Sequence, residues 1–95
     1  MGVRLQRQDG ALILAPTGRL DAVSVARLAE VALTRRGTFS RLVLDLRDLA
    51  EIDEGGMVDL ARAPWPELGA VVSSDARTLG RLAGIDHGIT LTAVD

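Results

Sequence analysis

Asp53-Glu54-Gly55-Gly56 is the stretch of this chain in which residue types and spacing point most directly to chemistry. Two adjacent carboxylates supply negative charge, and two glycines leave backbone N–H groups unshielded. Lying ahead of an apolar run that begins at Met57, the four residues read as a sharp loop that opens a helix. Asp53 is suited to capping that helix, because its side chain can accept hydrogen bonds from free backbone N–H groups. Glu54 is favourable to the positive end of the helix dipole. Gly55-Gly56 reads as a tight turn or as a cradle for an anion at a helix N-terminus. It lacks the spacing of a GxGxxG or P-loop motif, so the turn is the simpler reading. General acid–base catalysis needs a carboxylate pair or a histidine set in a pocket. Asp53 and Glu54 are neighbours whose side chains diverge, so they do not supply that pair.

The remaining candidates are sparser. Asp21 reads first as a helix cap. Trp65, the one tryptophan, stands between Pro64 and Pro66; it reads as a packing lid over a short helix or as an interface anchor. His87, the one histidine, follows Asp86 in a loop and has no second histidine or cysteine with which to share a metal. Ser73-Ser74 are explained by a strand end and a helix cap. No G-x-S-x-G nucleophile motif occurs, and with no cysteine there is neither a disulfide framework nor a thiolate metal site. These features lead us to expect no enzyme activity, no metal and no cofactor.

Composition narrows the class further. Ninety-five residues with 47% hydrophobic content suit one globular domain spanning 1–95. A net charge of −2 gives no clustered basic face for nucleic acid, and one Phe and one Trp are too few for base stacking. Met1–Gln8 alternates charged and apolar residues, unlike a secretory leader, and no apolar run approaches the ~20 residues of a membrane span. A cytoplasmic protein without membrane insertion is expected.

The elements that must position the acidic stretch follow from periodicity. Val3–Gln8 alternates as a half-buried edge strand, Asp9-Gly10 suits a tight hairpin, and Ala11–Thr17 returns as a deeper strand that Pro16 should end. Gly18-Arg19-Leu20-Asp21 turns the chain into a helix from Val23 to Arg35, capped by Asp21 or Ser24 and closed by Gly37. Leu42, Val43, Leu44 and Leu46 read as a central strand buried on both sides. Met57–Ala63 forms a short second helix ended by Pro64. Leu68–Ser73 is a buried strand, Asp75–Ala83 a third helix capped by Ser74 with Gly84 after it, and Ile89–Val94 a last strand. The order β-β-α-β-α-β-α-β predicts an α/β domain with a mostly parallel sheet and an N-terminal antiparallel hairpin.

That order, the Gly18–Asp21 turn, and Leu42–Asp45 leading to Ile52-Asp53-x-x-Gly56 resemble a STAS domain, the fold of anti-sigma factor antagonists, over nearly the whole chain. The resemblance implies a non-catalytic regulatory module that docks on an anti-sigma, GHKL-type kinase partner. Asp21, Asp53, Glu54, Gly55, Gly56, Met57 and Trp65 are the partner-binding candidates it implies. In the family a Ser or Thr in this loop is phosphorylated and the phosphate blocks docking. Gly55 stands at that acceptor position here, so the usual switch has no hydroxyl. The second helix looks truncated beside the family's, and no terminal helix is expected after Asp95. A homodimer or a larger STAS assembly would cover the surface so exposed. Two other readings of the resemblance are an accessory subunit of a lipid-transport ABC system and a nucleotide-binding STAS domain.

Overall fold

Two consecutive residues with positive φ, Asp9 at 51° and Gly10 at 82°, close the first hairpin. That is the backbone a two-residue turn needs to match the twist of its strands. The computed structural model describes residues 2–83 and 88–94. In chain order the elements are β1 (Gly2–Gln8), β2 (Ala11–Leu20), α1 (Ala22–Thr34), β3 (Arg41–Asp45), β4 (Leu49–Ile52), α2 (Glu54–Arg62), β5 (Leu68–Ser73), α3 (Ala76–Ala83) and β6 (Thr90–Ala93). Gly84 and His87, read from the sequence as a helix cap and a loop residue, lie outside the described residues, as does Asp95.

The sheet runs β1-β2-β3-β5-β6, and β4 pairs with β2 beyond the end of β3. Among the described residues only β1 and β2 pair antiparallel, and the other four pairs are parallel. This is the α/β architecture expected, with one strand more. β4 was not anticipated, and Pro16 does not end β2, which continues to Leu20. The two differences share a cause. Leu14 is the last residue of β2 in register with β3, and Gly18 is the first in register with β4. Pro16, which has no N–H to donate, falls in the gap between these two parallel partners.

Cross-strand register sets Leu14, Leu44, Val71 and Leu91 in one row across four strands. The helices cover that face as a single layer, α1 packing on α2 and α2 on α3. Val25, Leu28 and Ala32 of α1, Met57 and Leu60 of α2, and Leu82 of α3 close the core over Leu12, Leu42 and Leu44. β3 is therefore central but not buried on both sides. Leu42 and Leu44 are fully buried, whereas Val43 and Asp45 on the opposite face are half-buried. On that opposite face the stem of Arg41 lies across Gly69, where a Cβ would come within 2.6 Å of Arg41 Cγ. A long side chain thus shields sheet surface that no helix reaches.

The helix ends deviate slightly from expectation. Asp21 caps α1, its carboxylate accepting from the Ser24 N–H at 2.9 Å. Asp75, not Ser74, caps α3, accepting from the N–H groups of Arg77 and Thr78. Ser73 Oγ in turn accepts from the Asp75 N–H at 3.0 Å.

Leu44 is 0% exposed at the centre of this core. Leu44→Ala is expected to cost about 2–5 kcal/mol, the range for emptying a rigid leucine site. Urea unfolding measures it, and a loss below ~1 kcal/mol would mean that this strand is not the packing centre.

Candidate functional site

The acidic stretch is not a free loop. Asp53 is the N-cap of α2, with extended backbone (φ −84°, ψ 171°), and Glu54, Gly55 and Gly56 form the helix's first turn. Asp53 Oδ1 accepts from the Gly56 N–H at 2.7 Å. Its other oxygen accepts from Arg19 Nη2 at 3.0 Å, and Arg19 Nε lies 3.2 Å from Glu51. Arg19 and Glu51 are register partners on β2 and β4. Pairing of those two strands therefore carries the guanidinium to the helix mouth. The Asp53 N–H itself donates to the Leu20 carbonyl at 3.1 Å.

The two glycines do different work. A Cβ on Gly56 would stand 2.4 Å from the Leu20 carbonyl oxygen and 3.1 Å from Asp21 Cα. No side chain fits there, so α2 begins in direct contact with the turn between β2 and α1. A Cβ on Gly55 would meet only Asp53 Oδ1, at an ordinary 3.5 Å. Gly55 is exposed.

Glu54 is also exposed, and its carboxylate is ion-paired with Arg81 of α3. Asp53 and Glu54 thus turn to different arginines on different elements, which is no arrangement for sharing a proton. Among the described residues no cluster of three or more metal-ligating side chains occurs. No helix among the described residues is long and apolar enough to cross a membrane.

No protein-family model matches this chain, and no curated protein matches its sequence. Solved structures do. An anti-sigma factor antagonist from Mycobacterium paratuberculosis superposes with a TM-score of 0.70 at 20% identity, over 98% of this chain and 86% of that one. The antagonist SpoIIAA in its unphosphorylated form gives 0.60 at 13% identity, covering 99% of this chain and 90% of that one. The phosphorylated form of SpoIIAA, the Bacillus cell fate determinant, gives 0.59 at 13% identity, over 97% and 92%. The fold is the STAS fold.

On this STAS scaffold the expected site residues divide into three groups. Asp21, Asp53, Glu54 and Gly55 are brought to one end of the molecule, where the β2–α1 turn meets the start of α2. Gly56 and Met57 are buried, Met57 at 2% exposure. They seat the helix on the core and present no side chain to a second molecule. Trp65 follows the opposite end of α2, beyond the Ala63 cap, half-buried against the core with its indole N–H donating to the Leu60 carbonyl at 2.8 Å. Packing is what the structure shows of it.

Arg19, Glu51 and Arg81 were not anticipated. Arg19 and Glu51 meet only because β4 pairs with β2. Arg81 reaches Glu54 across 27 positions of chain, a distance over which local sequence carries no signal.

The Asp21 carboxyl is held below its ordinary range by the Ser24 N–H, then by the Ser24 hydroxyl and the nearby Arg19 charge. A carboxyl depressed in the folded state adds stability above its unfolded value and loses it as pH falls through the folded value. Asp21→Asn keeps the capping geometry and removes the titration. Its acid-side loss of stability should be shallower than that of the native chain in pH-dependent unfolding, and equal slopes would contradict the assignment. For the glycines, Gly56→Ala is expected to cost about 1–3 kcal/mol through a backbone clash. Gly55→Ala should be neutral or gain up to about 1 kcal/mol. Urea midpoints of the two variants moving together would refute the distinction.

Proposed function

We propose that this chain is a non-catalytic regulatory STAS module that docks, in the manner of an anti-sigma factor antagonist, on an anti-sigma, GHKL-type ATPase partner. The observation that carries this reading is the exposed first turn of α2. Glu54 and Gly55 stand at a rim shared with the Asp21 turn, on a fold whose solved examples include anti-sigma factor antagonists. The rim is fixed rather than mobile in design, since Asp53 is tied to Arg19 and Glu54 to Arg81. A preorganised surface loses less ordering entropy on binding.

With glycine at position 55 the rim has no hydroxyl to receive a phosphate. Docking is then constitutive rather than switched. A Cβ at position 55 makes only an ordinary 3.5 Å contact with Asp53 Oδ1, so a small side chain such as serine is expected to be tolerated there.

Purified GHKL-type ATPases encoded in the same genome supply the test. At least one should bind the native chain in isothermal calorimetry. Gly55→Arg, which adds a bulky charge at an exposed position, should leave the urea midpoint near the native value and abolish binding. Gly55→Ser should fold, bind, and acquire a phosphate from that ATPase under ATP, where the native loop acquires none. Absence of binding to every such ATPase would overturn the reading.

A further inference from the structure

Val58, Ala61 and Arg62 lie three and four positions apart on α2 and so share one face of it. Arg81 of α3 stands opposite, and among the described residues these four line an open groove of about 450 Å³ between the helices. Val58 and Ala61 are half-buried at its floor, and Arg62 and Arg81 are exposed at its sides. Glu54 holds Arg81 at one end. The Arg62 guanidinium makes no hydrogen bond or ion pair among the described residues. Asp59, three residues earlier, lines a separate hollow between α1 and α2 and forms no ion pair with Arg62. The negative end of the α2 dipole accounts for a cation at Arg62, but not for the half-covered apolar floor beside it.

We propose that this groove receives an acidic segment of the protein partner that carries an apolar side chain. The apolar group covers Val58 and Ala61, and a carboxylate pairs with Arg62. Charge complementarity selects the chemistry, because among the described residues the groove is lined by two guanidiniums and no carboxylate, and only Arg81 has an acidic partner, Glu54. An acidic segment is attracted there and a basic one repelled. Arginine's planar fork also matches a carboxylate with two parallel hydrogen bonds. This inference rests on the docking reading and adds the character of what docks.

The test uses the full chain, ¹⁵N-labelled, titrated with a synthetic amphipathic peptide bearing Leu on one face and Glu on the other, and with its Lys-for-Glu counterpart. The acidic peptide should produce saturable shifts at the amides of Val58, Ala61, Arg62 and Arg81. Arg62→Glu should weaken it roughly tenfold, as reversing a partly exposed charge does. Arg27→Glu, an exposed change on α1, should leave affinity unchanged. Shifts elsewhere, no saturation, equal binding of the basic peptide, or unaltered affinity in Arg62→Glu would each overturn the proposal. If Gly55→Arg blocks the ATPase while Arg62→Glu changes neither ATPase nor peptide binding, the docking reading stands and this inference falls. If no ATPase binds, the docking reading falls, and the peptide titration still judges the groove.

Discussion

One carbonyl, that of Leu20, organises the junction between the end of β2 and the start of α2. It accepts the N–H of Asp53 and has Gly56 seated against it, with no room for a methyl group between helix and strand end. Because β2 runs on past the end of β3 to Leu20, its last residues are free to pair with β4, and with one shift of register after Gly18 they do so through Ile52. The next residue is the cap of α2. The helix mouth is therefore an extension of the sheet, with no slack loop between them. Where the acidic rim points is decided by backbone geometry before any side chain contributes.

The charged side chains act on that frame by restricting orientation more than by adding stability. Exposed ion pairs such as Arg19–Glu51 contribute little free energy individually. What they do is give each carboxylate one preferred partner. Arg19 lies between Glu51 and Asp53, so a single guanidinium fixes the end of β4 and the cap of α2 together. Glu54 turns away to Arg81 and couples the first turn of α2 to α3. The rim thus carries its acidic groups largely compensated, and the cation without an acidic partner among the described residues stands at the other end of α2, at Arg62.

Much of this fold was legible in the sequence where the signal is local. The hairpin followed from Asp9-Gly10, whose positive φ values the turn requires. β5 followed from an unbroken apolar run, and α1 from apolar residues at helical spacing behind Asp21. The misreadings arise where tertiary contact overrides local preference. Leu49–Ile52 is four residues long, too short for its alternation to register, and it is a strand only because the end of β2 is free to pair with it. Glu54-Gly55-Gly56 is a poor helix start by propensity, so it reads as a loop. It is helical because the close approach to Leu20 demands glycine at 56 and the Asp53 cap satisfies the first free N–H. The burial of Met57 follows from the same shift, since a helix that begins at Glu54 turns residue 57 toward the core.

The similarity to solved antagonists at 13–20% identity shows what such a scaffold has to keep. At that level few particular residues are shared, yet the fold superposes over nearly the whole chain. Such a fold rests on burial pattern and strand pairing rather than on residue identity. Physical constraint is concentrated at positions such as Gly56, where backbone meets backbone and one residue type fits. One residue earlier the constraint vanishes, because Gly55 is exposed at the same helix mouth. A scaffold built this way can change the chemistry of its rim at position 55 without disturbing the contact at position 56 that holds the rim in place. A change of residue at 55 therefore carries no backbone penalty that the rest of the molecule has to offset.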